Sequence, residues 1–91
     1  MPFELRYHPD VRDVDIRQLN ETLKKRIKKA IEERLSLSPH HYGEPLRKSL
    51  KGYWKLRVGD YRVIYKINGN EVRILAIFNK KDVYKKTTKR I

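Results

Sequence analysis

Between Trp54 and Phe78 the chain carries three apolar runs separated by two short turns, and that spacing leaves few architectures open. Trp54, Leu56 and Val58 alternate with Lys55 and Arg57, the period-two pattern of a strand with one buried face. Gly59-Asp60 supplies a tight turn, Tyr61 to Ile67 a second strand, Asn68-Gly69-Asn70 a hairpin-forming turn, and Val72 to Phe78 a third strand. The third is almost continuously apolar, which predicts a central strand buried on both faces. Such a meander must be covered, and the residues before it provide the cover. Phe3-Glu4-Leu5-Arg6-Tyr7 alternates as a further strand that Pro9 ends, and Asp10 is placed to cap a short helix through Leu19. Asn20 opens a stronger helix in which Leu23, Ile27, Ala30, Ile31 and Leu35 form one stripe, until Ser36, Ser38 and Pro39 end it. Pro39 to Gly52 reads as loop, and Val83-Tyr84 begins a basic tail. The predicted class is α+β: a small antiparallel sheet with an N-terminal strand, two N-terminal helices packed on one face and a basic surface on the other. Residues 1–91 are expected to form a single domain, since a chain of this length supports one hydrophobic core.

Charge sharpens the functional reading. The net charge is +12, from Lys+Arg 23 against Asp+Glu 11. Through residue 45 there are nine bases and eight acids, so the remaining 14 bases and 3 acids give residues 46–91 a net of +11. This half is expected to face a polyanion: nucleic acid first, an anionic membrane surface second, an acidic protein third. With Cys 0, disulfides, thiolate nucleophiles and cysteine-ligated zinc are excluded. The longest apolar run, Ile74 to Phe78, is far short of the roughly 18 residues of a spanning helix, and Met1-Pro2-Phe3-Glu4 lacks a signal pattern. A soluble, cytoplasmic protein with no membrane partner is expected. His8 stands before Pro9 at a strand end, where local hydrogen bonding accounts for it, and His40-His41 has no third spaced ligand. No metal, nucleotide or other small-molecule cofactor is therefore expected.

The strand half carries the chemistry. If Trp54, Leu56 and Val58 face the core, Lys55 and Arg57 project from the opposite face, and Arg62 joins them across the Gly59-Asp60 turn. Lys80 and Lys81 leave the end of the third strand, with Tyr84 close behind. Cations beside aromatic rings can hold phosphate and stack bases, as single-stranded RNA recognition requires. Cations on a sheet edge also deter aggregation, so the pattern alone leaves both readings open. Lys24, Lys25, Arg26, Lys28 and Lys29 read as a solvated helix face partly paired with Glu21, Glu32 and Glu33.

The run from Leu50-Lys51-Gly52-Tyr53-Trp54 through Arg57-Val58-Gly59-Asp60-Tyr61-Arg62-Val63-Ile64-Tyr65, then Val72 to Ile77 and Lys80-Lys81-Asp82-Val83-Tyr84, closely resembles the RelE/ParE superfamily of toxin–antitoxin toxins, its RelE branch best. The likeness spans essentially the whole chain. It implies a small α+β fold with helices on one face of the sheet and a basic cleft on the other. It also implies an endoribonuclease (mRNA interferase) that cuts mRNA in the ribosomal decoding site without a metal, and so stops translation. The implied partner is a cognate antitoxin whose acidic, partly disordered segment covers the basic face. By position, Lys55 corresponds to a strand lysine of the catalytic cleft, Arg62 to the family's most recognisable arginine, Tyr84 to the tyrosine near the end of the fold, and Arg47 to an arginine on the RNA backbone. Two positions depart: Asn79-Lys80-Lys81 stands where many relatives carry His-Arg-Arg, and Tyr53 where some carry a second lysine.

The reaction so implied attacks a phosphate with the RNA's own 2′-hydroxyl, which needs a proton acceptor, cations on the phosphoryl oxygens and a stabiliser at the departing 5′-oxygen. Arg62 and Lys81 are assigned the charge-stabilising roles. Lys55, with Lys80 as the alternative, is assigned the base, because neighbouring cations disfavour a lysine's charged form. Tyr84 stacks on or orients a nucleotide, while Arg47, Arg57, Lys85 and Lys86 grip the backbone. The alternative is a ParE-like toxin that poisons DNA gyrase by binding, with which the missing histidine is compatible.

Overall fold

A computed structural model describes residues 2–91. β1 (Glu4–Tyr7), β2 (Glu44–Pro45), β3 (Trp54–Val58), β4 (Tyr61–Asn68) and β5 (Glu71–Asn79) form one sheet in the order β1-β5-β4-β3-β2. The β3-β4-β5 meander is antiparallel, as its alternation requires, with Leu56 opposite Val63 and Arg57 opposite Arg62 in the first hairpin. Gly59 takes the first turn position at φ +60°, where a side chain would cost about 1–2 kcal/mol. β1 runs parallel to β5, Leu5 opposite Val72, so the sheet is mixed rather than wholly antiparallel. β5 is interior, as its apolar run demands, although the middle of the order is β4.

Helices cover the face that carries Leu56, Val58, Val63, Tyr65, Val72 and Ile74. Helical turns at Val11–Asp15 and Ile16–Gln18 come first, followed by α1 (Glu21–Ala30), which continues through a wider turn at Ile31–Leu35. Asn20 caps α1, its Oδ1 accepting from the Leu23 N–H at 2.8 Å. Ile27, Ala30, Ile31 and Leu35 of the expected stripe are buried, with Leu23 packed at the edge. Asp10 makes no side-chain cap: its own N–H donates to His8 Nδ1, and its carboxylate lies 3.6 Å from Arg90 Nε.

The opposite face is only partly open. Leu46, Leu50, Ile64, Ala76, Phe78 and Val83 form a second core there. The expected basic tail is instead a helix, α3 (Val83–Arg90), whose Val83 and Thr87 turn inward one helical turn apart. The stretch from Pro39 to Gly52 likewise holds more than loop, namely α2 (Pro39–Tyr42), β2 and a turn at Lys48–Leu50. One close approach shapes it. The buried Tyr65 hydroxyl donates to the Pro39 carbonyl at 2.7 Å, and a Cβ on Gly43 would lie 1.6 Å from that oxygen. Only glycine fits the corner that delivers Tyr42 and Glu44 to the edge of the open face.

Candidate nucleic-acid interface

The alternation that buries Leu56 and Val58 turns Lys55 and Arg57 to the face opposite α1, and the hairpin register sets Arg62 directly across from Arg57. β2 adds Glu44 across from Lys55. These four side chains and Tyr42 line a cleft of about 150 Å³. Arg62 is its fixed point: Nη1 donates to the Gly59 carbonyl at 3.0 Å and to the Tyr61 carbonyl at 2.9 Å. With Nη1 engaged by the turn, Nε and Nη2 remain to meet an anion, already oriented before it arrives.

The other sequence-predicted residues fall into three groups. Lys80 is tied to the same turn, its backbone N–H donating to the Asp60 carbonyl at 2.8 Å and its Nζ 3.7 Å from the Asp60 carboxylate. Lys81, Tyr84 and Lys85 are exposed where β5 passes into α3, the sheet end at which Phe78 pairs with Arg62, but they do not line the cleft. Arg47 and Lys86 lie away from it. Arg47 is exposed at the entry to the Lys48–Leu50 turn. Lys86 is paired with Asp82 at 3.5 Å, sits 5.7 Å over the Phe78 ring, and borders a separate depression with Asp10, Asp15 and Arg90.

Tyr42 and Glu44 were not foreseen. They stand in a two-residue strand and the short helix before it, segments too brief to show a period, and only the pairing of β2 with β3 brings them to Lys55. His40 packs edge-on against Phe3 and Trp54, His8 Nδ1 accepts from the Asp10 N–H, and His41 lies edge-on to Tyr42. Among the described residues no three of His, Asp or Glu gather closely enough to hold a metal ion, and no helix is long and apolar enough to cross a membrane. A larger hollow, about 360 Å³, lies elsewhere, against α1, with Ile16, Leu19, Ile27 and Ile31 in its walls. It is mainly apolar, unlike the smaller cleft, in which three cations converge.

Comparison with known proteins identifies the family. Residues 5–84 match the family of ParE toxins of type II toxin–antitoxin systems. Toxin RelE of Mycobacterium tuberculosis is 45% identical over 40 residues, 44% of this chain and 41% of that protein. Toxin RelG of the same organism is 37% identical over 54 residues, 57% of this chain and 62% of that protein. These matches thus span less than two thirds of either curated relative. Among solved structures, the RelBE2 toxin–antitoxin complex of M. tuberculosis superposes with a TM-score of 0.81 at 28% identity, covering 87% of this chain and 99% of that one. A variant of Escherichia coli toxin RelE in the free state gives a TM-score of 0.74 at 24% identity, covering 100% and 99%, a likeness of fold. The chain, with its five-stranded sheet, α3 and Arg62 cleft, belongs to the RelE/ParE superfamily of type II toxin–antitoxin toxins.

Proposed function

We propose that this protein is a metal-independent endoribonuclease that cleaves mRNA on the ribosome, held silent by a cognate antitoxin. The observation that carries the reading is the anchored Arg62 guanidinium beside Lys55 and Arg57 in a cleft that also holds a carboxylate, Glu44. The 2′-oxygen of one nucleotide attacks its own 3′-phosphate, forming a 2′,3′-cyclic phosphate as the bond to the next 5′-oxygen breaks. Arg62 and Arg57 meet the non-bridging oxygens, where negative charge accumulates. The 2′-hydroxyl proton passes to Lys55 or to Glu44. The carboxylate has the simpler task, because it accepts a proton without first losing one as an ammonium must. Lys81 and Lys80, outside the cleft where β5 ends, add positive charge on the side of the departing 5′-oxygen, which takes its proton from Lys81 or from water, and the exposed Tyr84 and Tyr42 offer ring faces for flanking bases. Lys85 and Arg47 add longer-range attraction.

The antitoxin is read as an acidic, partly disordered segment that folds across the face built from residues 46–91, whose net charge is +11. The solved complexes similar to this chain, the RelBE2 pair among them, support such a partner. The test is single-turnover cleavage on programmed ribosomes with product ends determined. A 5′-hydroxyl and a 2′,3′-cyclic or 3′-phosphate, formed undiminished in chelator, are expected. Products with 5′-phosphates, or inhibition of gyrase with translation untouched, overturn the reading. Glu44→Gln and Lys55→Met assign the proton acceptor: the one whose loss removes the acidic limb of the pH–rate profile is the base.

A further inference from the structure

The five cations of α1 are less neutralised than their spacing predicts. Among the described residues only Lys24 is ion-paired, to Glu21 at 3.1 Å, while Lys25, Arg26, Lys28 and Lys29 have no carboxylate within 4.0 Å. Two of these, Arg26 and Lys29, share a polar groove of about 300 Å³ with Arg34, Arg57 and the single acid Glu33. Arg57 also lines the Arg62 cleft, so the groove and the cleft meet at one side chain. The sheet makes this junction possible. β2 pairs only with Trp54 and Lys55, so at Arg57 β3 is the outermost strand, and its side chain is reachable from both faces. The β3-β4 turn closes the same corner: a Cβ on Gly59 would lie 3.0 Å from Arg26 Nη1, and the Gly59 carbonyl holds Arg62.

We propose that Arg26, Lys29 and Arg34 continue the cleft around the edge of β3 as a phosphate track, binding the backbone of the RNA strand that flanks the scissile nucleotide. The inference rests on the ribonuclease reading and extends it to a second binding segment. A basic groove that follows a single strand recognises phosphates by charge and not by sequence, so this segment adds affinity without base preference. Its partner is RNA backbone longer than the few nucleotides the cleft holds. The opposite side of α1 serves as an internal control, because Lys24 and Lys28 border the apolar hollow instead of the groove.

The experiment measures binding of 2′-O-methyl oligoribonucleotides, which lack the reactive hydroxyl, at lengths of three and twelve nucleotides over a range of salt. Each single-strand phosphate contact adds about 0.7 to the salt slope, so Arg26→Gln with Lys29→Gln should lower the twelve-mer's slope by about 1.4 and its affinity at 0.15 M salt roughly tenfold. Trimer binding should be unchanged. Lys24→Gln with Lys28→Gln, which removes the same charge from the same helix, should cost at most about twofold. Arg26→Gln removes the guanidinium that lies against Gly59, so a thermal melt checks folding; if the Arg26 variant melts early, Lys29→Gln with Arg34→Gln supplies the same comparison. Equal losses in both pairs would show diffuse attraction and overturn the track. Unchanged RNA binding with weakened antitoxin binding would make the groove a protein interface and overturn it equally. Failure of the ribonuclease reading appears separately, as Arg62→Ala cutting at the wild-type rate.

Discussion

The strongest stability prediction concerns the contact that ties the two ends of the chain together. Asp15 is 3% exposed; its Oδ2 accepts from Arg90 Nη1 at 2.7 Å and from the Ile77 N–H at 2.9 Å, and its Oδ1 accepts from Arg90 Nη2 at 3.0 Å. Arg90 Nη1 also donates to the Leu75 carbonyl at 3.1 Å, and the guanidinium lies 4.8 Å from the Phe78 ring centroid. The reason lies in the sheet. β1 stops pairing with β5 at Ile74, so Leu75 and Ile77 present edge groups that no strand satisfies, and the ion pair takes the strand's place. Asp15→Ala leaves a nearly buried guanidinium with only the half-exposed Asp10 at 3.6 Å and strands the Ile77 amide donor, which costs about 3–5 kcal/mol. A domain of this size has about 5–14 kcal/mol in all, so about a fifth or more disappears. The melting temperature should fall on the order of 15–30 °C. Replacing both partners, Asp15→Leu with Arg90→Met, removes the charges and leaves only the edge N–H and carbonyl unpaired. That double variant, which also frees the half-exposed Asp10, should be more stable than Asp15→Ala, with a coupling of about 2 kcal/mol or more by denaturant unfolding. A loss below about 1 kcal/mol for Asp15→Ala, or strict additivity, would refute the argument.

Arg62→Ala should lower the cleavage rate about 100-fold or more while costing only about 1–2 kcal/mol of stability for its two bonds to the turn, and Arg62→Lys should rescue little because a point charge does not replace a fork. Single-turnover rates beside melts decide this; wild-type cutting by a folded Arg62→Ala protein removes Arg62 from the site. Gly43→Ala should destabilise by about 2–4 kcal/mol, since the Tyr65 hydroxyl must move and abandon Pro39, and Tyr65→Phe in the same chain should recover part of the loss. Absence of any recovery would place the strain elsewhere. Lys48→Gly should stabilise by up to about 1 kcal/mol, because Lys48 adopts φ +57° without being glycine; a lower melting temperature contradicts it.

What was legible in the sequence was whatever repeats with a period. Trp54, Leu56 and Val58 identify a strand and its buried face, and the same alternation puts Lys55, Arg57 and Arg62 together before any coordinates are known. Asn20 and the stripe from Leu23 to Leu35 mark α1 and its cap. The illegible elements have no period to read. α3 turns only Val83 and Thr87 into the protein, two residues among Lys85, Lys86, Lys89 and Arg90, and its fold-back depends on Arg90 reaching Asp15 across 75 positions. The direction of β1 is set by the crossover through the helices, because a strand's alternation is the same whether it pairs parallel or antiparallel. Glu44 enters the cleft through a ladder of two residue pairs, a long-range fact with no local trace.

The distribution of acids bears on function more directly than the net charge does. Several carboxylates are already engaged by cations of their own fold: Asp10 and Asp15 take Arg90, Asp60 takes Lys80, Asp82 takes Lys86, and Glu21 takes Lys24. Glu71 takes Arg73 and Arg6, and the Arg73 hydrogen bond in particular holds its carboxyl below the usual range. Among the described residues Lys55, Arg57, Arg62, Arg26 and Lys29 have no acid within 4.0 Å, and they are also the residues that share the cleft and the adjoining groove. A polyanion arriving there breaks no intramolecular ion pair, whereas one arriving at α3 must compete with Asp82 for Lys86. Under the proposed ribonuclease reading, net charge brings RNA to the protein. What distinguishes the place where it is held is not the lack of ion pairs alone but the grouping of Lys55, Arg57, Arg62, Arg26 and Lys29 in two hollows that meet at Arg57, with Glu44 the one carboxylate in the cleft.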